Sequence, residues 1–109
     1  MTSRDYERAL GVLDNITEPD QTVMAAAQVL AFNRAVELYQ NKQLDRALGF
    51  FRKSRSNNVD PQMHAETFYW EGEILYNQEK FTPAAAAFAK FSTTPGSYLS
   101  ELHNDADYA

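Results

Sequence analysis

One spacing of apolar and small residues occurs three times in this chain of 109 residues. At Ala9, Ala47 and Ala84, a large apolar residue precedes the alanine by three positions, and a leucine or phenylalanine follows it by four. Steps of three and four residues place side chains on one face of a helix. The alanines are 38 and 37 residues apart, and recurrence at roughly 20 to 50 residues indicates an array of similar units. The spacing therefore predicts one kind of helical unit, repeated along the chain.

A second small residue accompanies the last two alanines. Ala35 lies 12 positions before Ala47, and Gly72 lies 12 positions before Ala84. Helices that pack about 8–10 Å apart need a small side chain where their backbones come closest. We therefore predict two antiparallel helical hairpins of the same internal length.

The apolar periodicity predicts an all-α fold of antiparallel helix–turn–helix units, since strand signals are weak. Asp60-Pro61 and Thr82-Pro83 each combine a capping side chain with a proline that suits the first helical position, so each marks a helix start. Thr2 and Asp5 are predicted to cap the first helix. The predicted helices are residues 3–15, 22–40, 44–55, 61–77 and 83–91, followed by a helical segment from about Ser97. The predicted core consists of Leu10, Leu13, Ala35, Leu38, Ala47, Phe51, Phe68, Gly72, Leu75, Phe81, Ala84, Phe88 and Phe91.

This arrangement resembles the tetratricopeptide repeat, a helix–turn–helix unit with small residues at fixed places. The residues that carry the resemblance are Ala65-x-x-Phe68-x-x-x-Gly72-x-x-Leu75-Tyr76 for the first helix and Phe81-x-x-Ala84-x-x-x-Phe88 for the second. The resemblance implies one repeat at 22–56 and another at 60–92. It also implies that 3–18 is the second helix of a partial repeat and that 97–109 begins a further, truncated one. We therefore expect a piece of a longer α-solenoid array.

A shorter string points to a subgroup of this family. Tyr69-Trp70-Glu71-Gly72-Glu73 is similar to a motif in bacterial cell-envelope members, which assist outer-membrane assembly and maintenance. Large multi-repeat proteins of Bacteroidetes-type bacteria carry a similar pattern. The resemblance therefore favours a bacterial protein of the periplasm or cell envelope over a cytoplasmic one.

Composition and motifs argue against several function classes. The net charge of −5 disfavours nucleic acid, which requires clustered Lys and Arg, and the one basic cluster, residues 52–55, falls at a predicted helix end. The chain has no cysteine and no apolar run long enough for a membrane span. It also lacks the common catalytic and phosphate-binding motifs, and the acidic run His103–Asp107 is interpreted as solvated. We therefore expect no catalytic residue, no metal and no cofactor, and a protein or peptide as partner.

In the tetratricopeptide family, the first helices of successive repeats line a concave groove that binds protein segments. Tyr and Trp in such a groove combine contact area with a polar group. The other interpretation is that these aromatic residues fill the seam between repeats. The residues predicted to line the groove are Phe32, Asn33, Val36, Tyr39, Gln40, Glu66, Tyr69, Trp70, Glu73, Tyr76 and Asn77.

Two further expectations concern charge and alternative functions. Arg34 and Glu71 occupy positions that are usually apolar in this family, and we predict that they pair across neighbouring helices. The alternatives to a binding groove are a structural spacer, a segment that self-associates through truncated repeat ends, and a regulatory repeat domain of a larger enzyme or sensor.

Overall fold

The computed structural model describes residues 3–97, and this part of the chain contains helices and no strand. The all-α class is therefore confirmed. The five helices are α1 (Ser3–Asp14), α2 (Gln21–Gln40), α3 (Leu44–Arg55), α4 (Pro61–Asn77) and α5 (Phe81–Thr93). The predicted Thr2 cap and the helical segment after Ser97 lie outside the described residues.

The predicted helix boundaries agree with the structure to within one residue at α1 to α4 and depart from it at α5. The helix α4 begins at Pro61 as predicted, and α2 begins after Asp20, whose Oδ1 accepts a hydrogen bond of 2.9 Å from the Val23 N–H. The prediction that α5 opens at Thr82-Pro83 is wrong, because the helix already begins at Phe81. Pro83 is tolerated there since the amides of a first helical turn have no partner within the helix.

The helices form two compact units, of which one ends at Asp60 and the other begins at Pro61. In the first unit, α2 packs against both α1 and α3. In the second unit, α4 packs against α5. Each unit therefore contains one antiparallel hairpin, and the first unit carries an additional helix.

The turns of the two hairpins have the same backbone structure. Each holds one residue in the left-handed region, with φ of 63° at Lys42 and 62° at Glu79. The next residue donates its backbone N–H to the carbonyl oxygen five residues earlier, at 2.9 Å in the first turn and 2.8 Å in the second. These are the hydrogen bonds of a Schellman helix ending, in which glycine is the usual left-handed residue. The two turns are 37 residues apart.

Replacing the left-handed residue of one of these turns by glycine is expected to stabilise the protein. A Glu79→Gly variant is expected to raise the free energy of unfolding by about 0.5–1 kcal/mol. The left-handed conformation costs an L-residue about 1–2 kcal/mol, and the greater freedom of glycine in the unfolded chain cancels only part of that cost. Thermal unfolding followed by circular dichroism measures the change. The control is Lys80→Gly in the same turn, where φ is −96°, and an equal gain in that variant would contradict the explanation.

The core of the first hairpin contains both small and aromatic residues. Ala35 and Ala47, the small residues predicted for helix contact, are fully buried. Phe51 is fully buried as well, and Phe32 meets it edge to face with ring centroids 5.5 Å apart. This geometry is favourable for a pair of aromatic rings, so the pair holds α2 against α3.

The second hairpin repeats this arrangement with a closer approach. Tyr69 of α4 meets Phe88 of α5 with ring centroids 5.6 Å apart, 37 residues after Phe32 and Phe51. Gly72 lies directly under the Phe88 ring, since a Cβ atom built on Gly72 would be 2.7 Å from Phe88 Cε1. The small residue is therefore required by the contact between α4 and α5.

Of the 13 predicted core residues, ten are buried, two are half-buried and one is exposed. Phe81 is 56% exposed, so its prediction as a core residue is wrong. It is the first residue of α5, and its ring lies edge to face against Tyr76 near the turn, with centroids 5.2 Å apart. Leu13 and Phe88 are half-buried. The predicted core residues that are buried are Leu10, Ala35, Leu38, Ala47, Phe51, Phe68, Gly72, Leu75, Ala84 and Phe91.

A fully buried amide fixes the loop that follows α3. Gln28 Oε1 accepts hydrogen bonds from the backbone N–H groups of Val59 at 3.1 Å and Asp60 at 2.8 Å. Its Nε2 donates to the carbonyl oxygen of Asp60 at 2.9 Å. Ser54 Oγ donates to the backbone carbonyl oxygen of Gln28 at 3.0 Å. These bonds satisfy the buried amide of Gln28 and hold the loop against α2.

The helix α1 is attached to α2 by both apolar and charged contacts. Leu10 packs with Ala27 and Ala31 in one buried cluster. Arg34 is 6% exposed, and its Nη2 lies 2.7 Å from Glu7 Oε2 while its Nη1 lies 2.6 Å from Glu37 Oε1. Both carboxylates belong to the same unit as Arg34, because α1 brings Glu7 alongside α2 and Glu37 lies one turn further along α2. The pairing of Arg34 with Glu71, a residue of the second unit, stays a prediction.

Candidate functional site

The residues of α2 that were predicted to line a groove divide between the core and the surface. Phe32 is 9% exposed and belongs to the core pair described above. Asn33 and Gln40 are exposed, and Val36 and Tyr39 are half-buried. Val29, which was not predicted, is also exposed and precedes Asn33 by one helical turn. Its position could have been found by extending the same spacing toward the N-terminus.

These residues define the α2 face, which consists of Val29, Asn33, Val36 and Gln40. They recur at steps of four, three and four residues, which places them on one stripe of the helix. The stripe contains two amides and two aliphatic side chains, and no charged residue. The α2 face therefore offers hydrogen-bonding groups and apolar surface to a ligand.

The α4 face consists of the residues 37 positions later, namely Glu66, Trp70, Glu73 and Asn77. The first three are half-buried and Asn77 is exposed. Tyr76 lies beside this stripe and is 59% exposed. The α4 face thus keeps the spacing of the α2 face but carries two carboxylates and an indole ring.

Tyr69 was also predicted to line the groove, and its ring has several contacts inside the second unit. Its centroid lies 5.6 Å from both Phe88 and Phe91 and 5.9 Å from Trp70. It is half-buried and packs against the cluster of Ala65, Phe68 and Phe91. Tyr69 therefore supports the interior of the second unit, and it is a poor choice for testing a surface.

The two helices differ in charge. Within α2, Arg34 and Glu37 are paired with each other. The helix α4 carries Glu66, Glu71 and Glu73 and contains no Lys or Arg. Glu66 Oε2 accepts a hydrogen bond of 3.3 Å from Gln62 Nε2. The electrostatic potential along α4 is therefore expected to be negative, which favours a cationic ligand there.

Glu73 has the least satisfied carboxylate of the α4 face. Its backbone carbonyl oxygen accepts a 2.8 Å hydrogen bond from Asn77 Nδ2. Within residues 3–97, its carboxylate has neither a hydrogen bond nor an ion pair. Its carboxylate is therefore available to a cation from outside the chain.

Histidines and acidic side chains are the other residues that could bind a metal ion or take part in catalysis. His64 lies edge to face against Phe68, with ring centroids 5.6 Å apart. Among the described residues, no group of three or more His, Cys, Asp or Glu side chains is arranged to hold a metal ion. The run from His103 to Asp107 lies outside the described residues. In the same described part, no helix combines the length and apolar character of a membrane span.

Comparison with models of known protein families finds no match, and searches of curated proteins and of solved structures find none either.

Proposed function

We propose that this chain is a protein-interaction module of the tetratricopeptide type, which binds a segment of another protein along the exposed faces of its first helices. The observation that carries the proposal is the correspondence between the two hairpins at a constant spacing of 37 residues. It includes the left-handed turn residues Lys42 and Glu79 and the aromatic pairs that hold each hairpin together. A chain that repeats its internal contacts also repeats the faces that those contacts leave outside.

The chemistry of the two faces supports peptide binding. Side-chain amides at Asn33, Gln40 and Asn77 can each donate and accept, as the backbone of an extended peptide requires. Tyr76 adds a large exposed ring with a hydroxyl group, a residue type that frequently dominates interface energetics. The proposal needs no cofactor and no catalytic group.

Selection from a library of random dodecapeptides tests the proposal. Peptides that bind the parent protein are then measured against Tyr76→Ala, which is expected to weaken binding about tenfold, the usual loss when a contributing interface tyrosine is truncated. Tyr76 suits this purpose because it is exposed. Truncation of Tyr69 would instead open the interior and cost about 3 kcal/mol of stability.

The matched control is Val12→Ala on α1, which removes side-chain area at a site that is 63% exposed and belongs to neither face. Circular dichroism verifies that each variant is folded. Peptides that bind Tyr76→Ala and Val12→Ala equally well would place the binding site elsewhere and reject the α4 face.

A further inference from the structure

The starting observation is the surroundings of Glu73 on α4. Glu73 is a half-buried residue, and its carboxylate has no partner within residues 3–97. Trp70 lies three residues before it and Tyr76 three residues after it, so both rings are neighbours of Glu73 along the helix surface. An anionic group between two aromatic side chains suits a flat cation that can hydrogen-bond at its edge and stack on its face.

We infer that the α4 face binds an arginine side chain of the partner segment, with Glu73 as its anion and Trp70 and Tyr76 as its aromatic neighbours. This inference rests on the proposed function and specifies the ligand of that face. A guanidinium matches a carboxylate with two parallel N–H···O hydrogen bonds. It also stacks on aromatic rings and is more weakly hydrated than an ammonium group. Arginine therefore satisfies the carboxylate and both rings, whereas lysine supplies a point charge.

Charge complementarity supports this assignment over a neutral or acidic ligand. The helix α4 contains three glutamates and no Lys or Arg, so no cation of this helix competes for Glu73. An acidic ligand would meet repulsion from the Glu66 and Glu73 carboxylates of this face. A neutral ligand would cover the Glu73 carboxylate without compensating its lost hydration.

The first unit shows that the acidic feature is specific to α4. The residue 37 positions before Glu73 is Val36, which lies between Asn33 and Tyr39 in the same spacing. This equivalent position carries no charge, so the requirement for arginine belongs to the second unit.

The experiment selects peptides from a library of random dodecapeptides on the parent protein and repeats the selection on two variants. Glu73→Gln removes the proposed anion and keeps the side-chain shape. Glu79→Gln removes the same charge from the exposed turn after α4 and is the matched control. Arginine is expected to be enriched in peptides selected on the parent and on Glu79→Gln, and this enrichment is expected to disappear on Glu73→Gln.

A double-mutant cycle then locates the contact. In a selected peptide, replacing the enriched arginine by glutamine is expected to weaken binding to the parent about tenfold, as loss of an ion pair and a cation–π contact implies. The same replacement is expected to have little effect on binding to Glu73→Gln, because the two groups contact each other directly. Independent effects of the two changes would overturn the assignment.

The outcomes separate this inference from the proposed function. Peptides that depend on Tyr76 but carry no enriched arginine overturn the inference and leave the binding function standing. Enrichment of lysine in place of arginine overturns the assignment to a guanidinium. Peptides that bind independently of Tyr76 overturn the inference by rejecting the α4 face, and failure to select any peptide that binds the folded protein overturns both proposals.

Discussion

A Gln28→Ala variant is expected to lower the free energy of unfolding by about 3 kcal/mol, because it removes three hydrogen bonds, each of which contributes about 0.5–1.5 kcal/mol. The substitution would remove the Gln28 acceptor from the Asp60 N–H and from the Val59 N–H, which keeps a 3.0 Å bond to the Asn57 carbonyl oxygen. It would also remove the donor to the Asp60 carbonyl oxygen and leave a cavity at a fully buried position. Urea unfolding followed by the helical circular dichroism signal measures the loss.

Two further variants separate hydrogen bonding from volume. Gln40→Ala removes the same side chain from an exposed position of the same helix, and it is expected to change stability by less than about 0.5 kcal/mol. Gln28→Met keeps the length and most of the volume of the side chain but none of its hydrogen bonds. If Gln28→Met proved as stable as Gln40→Ala, the loop would not depend on the buried amide.

The effect of Gln28 shows where sequence patterns stop being informative. The helices themselves could be predicted because periodicity is a local property, and α3 begins and ends at the predicted residues 44 and 55. The partners of Gln28 lie 31 and 32 residues away in the chain, and no local spacing connects them. A glutamine within an apolar helix is predicted to be exposed unless the loop that covers it is known.

The start of α5 was missed for a different reason. Thr82-Pro83 has the composition of a cap followed by a first-turn proline, and at Asp60-Pro61 the same reasoning is correct. In the second hairpin, however, the left-handed residue Glu79 ends α4 in a Schellman turn. The helix α5 begins at Phe81, directly after that turn. Lys80 occupies the cap position without a side-chain hydrogen bond. Turn geometry therefore outweighed the capping signal.

The sequence predicts which residues of the candidate site are on the surface, but not which residues beside them contact the second helix of each hairpin. Helical spacing placed Asn33, Gln40 and Asn77 on the surface, where the structure finds them. Phe32 and Tyr69 fall on the side of that stripe that meets the second helix of each hairpin, so both contact phenylalanines there. Aromatic residues that recur with the same partner in both hairpins are typical of an internal contact, and that recurrence was already visible in the sequence.

A Gly72→Leu variant is expected to destabilise the chain by about 3 kcal/mol, at the upper end of the usual cost of overpacking a core. The Cβ atom alone would lie 2.7 to 2.9 Å from three atoms of the Phe88 ring. That ring is confined by its edge-to-face contact with Tyr69. Either the ring or α5 must therefore move, which loosens the packing of the hairpin. Urea unfolding of the variant measures the cost.

The control for Gly72→Leu is the same substitution at Gly49, in the interior of α3. A Cβ atom at Gly49 would meet nothing within 4 Å, so Gly49→Leu is expected to stabilise the helix by about 0.5–1 kcal/mol through propensity alone. Opposite signs at the two glycines would show that space, and not helix propensity, decides the outcome at Gly72.

Adding Phe88→Ala to Gly72→Leu provides a further test. The double variant is expected to be more stable than the sum of the single losses predicts, because the smaller side chain makes room for the leucine. Simple additivity would mean that the Phe88 ring is not what limits residue 72.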